Sequence, residues 1–182
     1  MSAIITKKIQ ASNKGIGFLY IRNGVEISPF LDGGSQEAGR RAGTENVASI
    51  VGMAVALKKN TETLEVNGKH LLMLEKRLET GLQELGLNFI RNGAINHIPG
   101  NISLSFEGTE GEMLLHRLDL MGICVSTGSA CDSKNTQISH VLKAIGLDEK
   151  YAKGTIRISL GKNNTKEDID EIVLALNKIL GR

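Results

Sequence analysis

The sequence predicts an α/β (α+β) chain: a small mixed or antiparallel sheet covered by helices, preceded by a loop-rich segment of different character. Three observations carry this. Two runs alternate cleanly, Asn101 to Phe106 and Thr155 to Leu160, placing Ile102, Leu104 and Phe106, and then Ile156, Ile158 and Leu160, on single faces. Leucine and isoleucine recur at helical spacing from Leu71 to Leu85 and from Ile169 to Leu180. From about residue 87 the elements read strand, strand, helix, strand, helix, strand, helix. Two helices can then cover one face of a sheet of three or four strands. Residues 1–60 do not fit that unit, which divides the chain into 1–60 and 61–182.

Residues 1–15 show no clear period and are expected to be poorly ordered unless something docks on them. Ile16 to Ile21 reads as a strand ending at the Asn23-Gly24 turn signal, and Val25 to Phe30 as a short extended piece broken by Pro29. Asp32 to Thr44 holds four glycines and two arginines in thirteen residues, which makes it a loop. Val47, Ile50, Val51, Ala54 and Val55 then define an amphipathic helix over 45–59, with Thr44 or Asn46 as its cap. The stripe Leu71, Leu74, Leu78, Leu82 and Leu85 marks a second helix stopped by Gly86. Asn88 to Ile90 is a strand candidate. Gly111 to Met121 is helical with Met113, Leu114, Leu118 and Met121 inward, and Ile123 to Ser126 is a strand. Ile138, Val141, Leu142 and Ile145 mark a further helix, stopped by Gly146. Thr165 to Asp168 has the pattern of a capping box ahead of the last helix.

Composition excludes several classes. Trp is absent and aromatics make up 3% of the 182 residues, so stacking platforms for single-stranded nucleic acid are not expected. A net charge of +2 with interspersed signs leaves no footprint of a duplex binder. The sequence shows no signal peptide or spanning apolar run, and its two cysteines make no disulfide framework, which points to a cytoplasmic protein with reduced thiols. His97 and His116 have no metal-ligand spacing with each other or with the cysteines, so no metal site is expected.

Five places bear on chemistry. Ser126 to Cys131 sets a thiol among small residues in a loop before a helix; such a thiol is either incidental or reactive, and reactivity requires a nearby cation or helix N-terminus. Cys124, within Ile123-Cys124-Val125, reads as a small buried hydrophobe. The Gly33–Thr44 loop is either an anion site, with glycine N–H groups and arginine forks, or a solvated surface loop with a capping threonine. Alternation turns Arg157 away from the core, beside Ser159, where it suits a carboxylate or a cross-strand partner. His140, nine residues after Cys131, is read as a helix histidine rather than a catalytic partner.

Four motifs then occur in an order found in one family: Gly15 to Tyr20; Gly33 to Thr44 with Gln36-Glu37 and Arg41-Ala42-Gly43-Thr44; Ser126 to Cys131; and Ile156 to Gly161. From about residue 8 the chain resembles the C-terminal half of a cysteine desulfurase, a pyridoxal-phosphate-dependent transferase of aminotransferase class V. The resemblance implies that 1–60 is a remnant of the large cofactor-binding domain and 61–182 the small C-terminal domain. It implies sulfur removal from L-cysteine, giving alanine and a cysteine persulfide for iron–sulfur cluster or thio-cofactor synthesis. Cys131 would carry the persulfide, Arg157 would hold the substrate carboxylate, and Thr44 would contact the cofactor phosphate across a dimer interface. Lys8 matches the cofactor lysine, but Lys7 replaces the family's histidine and one extra residue precedes Lys14. Such a slip reverses side-chain direction in an extended segment. Family members are about twice this length, so the groups that stack on the cofactor ring and pair with its nitrogen are expected to be missing. The partners implied are a second copy, a complete desulfurase or a scaffold protein. The alternative expectation is a non-enzymatic sulfur acceptor, an interaction module or an inactive remnant.

Overall fold

The structure is a computed structural model, which describes the backbone of residues 4–7 and residues 15–127 and 138–181. The chain forms two compact units, Met1–Leu64 and Glu65–Arg182.

In the first unit, β1 (Ile4–Lys7) pairs antiparallel with β2 (Phe18–Ile21), from Ile4 opposite Ile21 to Lys7 opposite Phe18. Residues 4–7 show no period in the sequence; the ladder with β2 defines the strand. Val25 to Phe30 forms no strand. A single turn, α1 (Gln36–Gly39), lies inside the glycine-rich loop, with Glu37 and Ala38 in left-handed conformation at φ 51° and 55°. The helix α2 (Val47–Glu62) starts at Asn46, whose side chain accepts the Ser49 N–H; Thr44 is not its cap. Its expected inward face is not buried. Val47, Val51 and Val55 are half or more exposed, and Ala56 is the one buried hydrophobic residue among those described in this unit. Too few apolar groups surround the helix to cover it.

The second unit carries its own core. Helix α3 (Leu64–Glu84) buries Leu74, Leu78 and Leu82. It ends in a Schellman turn: Gly86 takes φ 70°, its N–H donates to Gln83, and the Leu87 N–H donates to Leu82. Strands β3 (Phe89–Asn92), β4 (Asn101–Phe106), β5 (Ser126–Thr127) and β6 (Thr155–Ser159) form an antiparallel sheet in the order β3-β4-β6-β5. Ile102 lies opposite Ile158 and Leu104 opposite Ile156, so these four share the apolar face. Three helices, not two, pack in that core: α3, α4 (Gly111–Asp119) through Leu114 and Leu118, and α7 (Lys166–Leu180) through Ile169, Ile172, Val173 and Leu176. Thr165 and Asp168 close the capping box read from the sequence. Helices α5 (His140–Ala144) and α6 (Glu149–Ala152) are short, and α6 had no sequence signal beyond Asp148, whose carboxylate caps it.

Other differences are local. Met113, Met121, Val141 and Ile145 are exposed, as is Cys124. Cys124 lies between Ile123 and Val125, which are partly buried against the core, so alternation turns its thiol outward.

Candidate functional site

The apolar face of the sheet fixes what lies on its reverse. Arg157 falls between Ile156 and Ile158, which are 0% and 3% exposed, so its side chain leaves from the opposite face. There it lies in register with Ser103 on β4 and Ser126 on β5. Asn92, opposite Ser103, continues the same line onto β3. Residues directly opposite in antiparallel strands point to one side, so Asn92, Ser103, Arg157 and Ser126 make a polar row across all four strands.

Most of the polar groups on this reverse face are spent on one another. The Asn92 amide donates to Ser103 Oγ at 3.1 Å and to Ser105 Oγ at 2.7 Å. Ser105 and Thr155 share a hydrogen bond of 2.6 Å. Arg157 differs. Its Nη2 donates to Ser126 Oγ at 3.4 Å, and no carboxylate pairs with it among the described residues. A half-buried guanidinium with four further N–H donors suits an incoming carboxylate in bidentate geometry. Ser126 also begins β5, the strand that leads into the segment containing Cys131. Cys131 itself lies outside the described residues, as does Lys8, which follows β1.

Thr44 belongs to the first unit and is exposed, two residues ahead of the α2 cap. The loop before it closes on itself. The Ala42 N–H donates to Leu31 O at 3.2 Å. Gly33 and Ala42 come so close that a Cβ on Gly33 would lie 3.0 Å from the Ala42 Cβ, and Gly33 also has φ 147°. Gln36 folds over Gly34, and its Oε1 accepts the Gly43 N–H at 3.3 Å. Arg41 Nη1 donates to Ala42 O at 3.2 Å and to Gly43 O at 2.9 Å. This changes the sequence reading of the loop: Arg41 is committed to backbone carbonyls and is not an open anion fork. Nothing in the spacing of Gln36 announces its bond to Gly43.

A third cluster was also missed. Glu75, on the α3 core stripe between Leu74 and Leu78, is 4% exposed. It accepts the Gly100 N–H and a bond from His97 at 2.6 Å, and pairs with Arg91 at 3.4 Å. Arg91 also donates to Glu79 at 2.9 Å. The bond to Glu75 holds His97 above the ordinary histidine pKa, with a smaller contribution from the Ile95 carbonyl. The sequence signal was a carboxylate at an inward helical position. These groups pair with one another and brace the turn between β3 and β4. His140 is exposed at the start of α5. Among the described residues no three histidine, cysteine or acidic side chains gather as metal ligands. No described helix is long and apolar enough to cross a membrane.

Pyridoxal phosphate needs a phosphate grip, an amine, a ring contact and a partner for its ring nitrogen. The described residues fit the first: Thr44 is an exposed hydroxyl on a glycine-rich turn ahead of a sixteen-residue helix. Arg157 fits the carboxylate of an amino-acid substrate. The remaining contacts have no counterpart that the described geometry identifies.

Known proteins match the chain over nearly its whole length. The aminotransferase class V family matches residues 2–172. A cysteine desulfurase IscS of Methanosarcina thermophila is 43% identical over 167 residues, covering 92% of this chain and 41% of the relative. One from Clostridium botulinum is 45% identical over 171 residues, covering 92% of this chain and 43% of the relative. Among solved structures, a NifS-like protein superposes with a TM-score of 0.80 at 40% identity, over 93% of this chain and 43% of that one. The chain therefore spans 41% to 43% of the length of these proteins. By the extent of the family match and the identity to these relatives, the chain belongs to the class V aminotransferases, among the IscS and NifS cysteine desulfurase homologues.

Proposed function

We propose that the chain supplies the substrate-binding and sulfur-accepting side of a pyridoxal-phosphate-dependent cysteine desulfurase, corresponding to the C-terminal half of its relatives. The observation that carries this reading is Arg157: a guanidinium with no carboxylate partner among the described residues, in register with the strand that leads toward Cys131. Arg157 binds the carboxylate of L-cysteine and fixes its orientation. Thr44 binds the cofactor phosphate, with a second copy of the chain completing the site as in a dimer. The Cys131 thiolate attacks the substrate sulfur; a sulfur–sulfur bond forms, the substrate carbon–sulfur bond breaks, and a proton delivered to the carbon completes alanine. Bound pyridoxal phosphate would supply the electron sink for that bond cleavage. The persulfide then serves a sulfur acceptor, iron–sulfur cluster assembly being one such use. The groups that hold the cofactor ring come from polypeptide beyond these 182 residues, a reading supported by the fraction of each relative that is matched.

The isolated chain therefore holds the cofactor weakly. Titration with pyridoxal phosphate is expected to give no stable visible absorbance band of a lysine-bound cofactor. A stable band that disappears in Lys8→Ala would show that the cofactor site is complete on this chain and would overturn that division of labour. A second reading, a sulfur-acceptor module without its own turnover, is favoured by the same partial match. It predicts sulfur transfer to Cys131 from an added complete desulfurase, with no alanine formed by the chain itself.

A further inference from the structure

We propose that Gln36 and Arg41 are positioning residues that fix the Gly43–Thr44 peptide so that the Thr44 N–H and hydroxyl are presented together to a phosphate. This rests on the phosphate role proposed for Thr44, and extends it to two side chains that touch no ligand.

Two peptide planes flank Gly43. The Ala42–Gly43 plane is held at both ends: Arg41 Nη1 binds its oxygen at 3.2 Å, and Gln36 Oε1 binds its N–H at 3.3 Å. The Gly43–Thr44 plane is held at its oxygen by the same Arg41 Nη1 at 2.9 Å. In a trans peptide the carbonyl and the following N–H point in opposite directions. Gripping the Gly43 oxygen therefore turns the Thr44 N–H away from the guanidinium. Gly43 joins the two planes at φ 102°, a conformation a side chain rarely adopts. Beyond Thr44, Asn46 is fixed by its bond to the Ser49 N–H. Thr44 thus sits between two anchored points, and neither its N–H nor its hydroxyl has a partner among the described residues.

The rest of the loop makes the grip possible. Glu37 and Ala38 adopt left-handed backbone at φ 51° and 55°, which is strained for residues with a side chain and persists only where neighbours enforce it. That turn brings Gln36 and Arg41 to opposite edges of the Ala42–Gly43 peptide, with Glu37 3.9 Å from the Arg41 guanidinium. Arg41 makes its grip through Nη1 alone, whose two N–H groups are held in the guanidinium plane. A lysine has the charge, but its ammonium turns freely on a flexible stem and does not fix two donors in one plane.

The test uses the full chain, labelled with nitrogen-15, and inorganic phosphate as the probe. Backbone relaxation reports the order of Gly43 and Thr44, and phosphate titration reports the Thr44 amide. Arg41→Ala, Arg41→Lys and Gln36→Ala are each expected to lower the order of both amides. The arginine variants are expected to weaken the phosphate response about tenfold, the scale of one charge-assisted hydrogen bond. Thr44→Val is expected to weaken the phosphate response while leaving Gly43 ordered. Unchanged β4 and β6 amide shifts show that the second unit remains folded in every variant. Wild-type phosphate affinity in Arg41→Lys, or undiminished order in Arg41→Ala, overturns the proposal. Loss of order in Arg41→Ala with no phosphate response even in the wild-type chain supports the clasp and contradicts the phosphate role of Thr44.

Discussion

Arg157 and Thr44 are held in place by different physics. Arg157 sits on a strand paired on both sides, between Ile156 and Ile158, which are buried in a core shared by three helices. Its backbone position is inherited from that packing, so no single polar contact is needed to set it. Thr44 lies in a unit with one buried hydrophobic residue among those described, Ala56. Its position depends on a few hydrogen bonds from Gln36 and Arg41 to the backbone. A packed element tolerates surface change and fails when its core is cut. A clasped loop is sensitive to single polar substitutions that leave global stability intact.

Core substitutions in the second unit should have the largest effect. Phe106→Ala is expected to destabilise by about 3–5 kcal/mol, from lost transfer energy and the cavity left behind, read as a lower midpoint in urea. Val51→Ala on the exposed face of α2 should change the same midpoint by less than about 0.5 kcal/mol. Equal losses would erase the contrast between the units. Glu75→Ala comes next, at about 2–4 kcal/mol, because it leaves the Gly100 N–H unpaired and removes a partner of His97 and Arg91. Thr165→Ala removes one half of the capping box and should cost about 1 kcal/mol.

The smallest effect is a pH dependence. His97 has its folded pKa raised above the ordinary 6.5 by its bond to Glu75. Its contribution to stability is therefore fully present below that ordinary value and is lost as pH rises through the folded pKa. Denaturation midpoints should hold steady below the ordinary histidine pKa and fall as pH rises above it. His97→Gln should flatten the fall. An unchanged slope in that variant would remove His97 as its source.

The contrast also explains what was legible in the sequence. Ile102, Leu104 and Phe106, like Ile156 and Ile158, alternate because one face of the sheet packs on helices, so periodicity reported both the strands and the direction of Arg157. The helical leucines and the Thr165–Asp168 box were legible for the same reason: their signals lie within one element. Residue type misled at Cys124, which alternation with the partly buried Ile123 and Val125 turns outward, and helical spacing misled at Val47, Val51 and Val55, whose face has no cover in its own unit. Strand β1 was invisible because it is defined by its backbone ladder with β2, a pairing that local periodicity does not report. In the Gly33–Thr44 loop, composition announced an unusual backbone but not which side chains hold it. That depends on Gln36 and Arg41 meeting at Gly43, a contact across several residues with no repeating pattern.

The most direct test of the proposed function is complementation. The chain is coexpressed with the portion of the Clostridium botulinum relative that it does not match, supplied with pyridoxal phosphate and L-cysteine, and Cys131 is read by mass spectrometry. The expected result is alanine formation with one added sulfur atom on Cys131. Arg157→Ala should raise the KM for L-cysteine by about tenfold to a hundredfold, in line with loss of a charge-paired carboxylate contact. A pair that forms a complex and binds the cofactor, yet leaves Cys131 unmodified or responds equally to L-cysteine in the Arg157→Ala chain, would contradict the assignment of this chain as the substrate-binding and sulfur-accepting side.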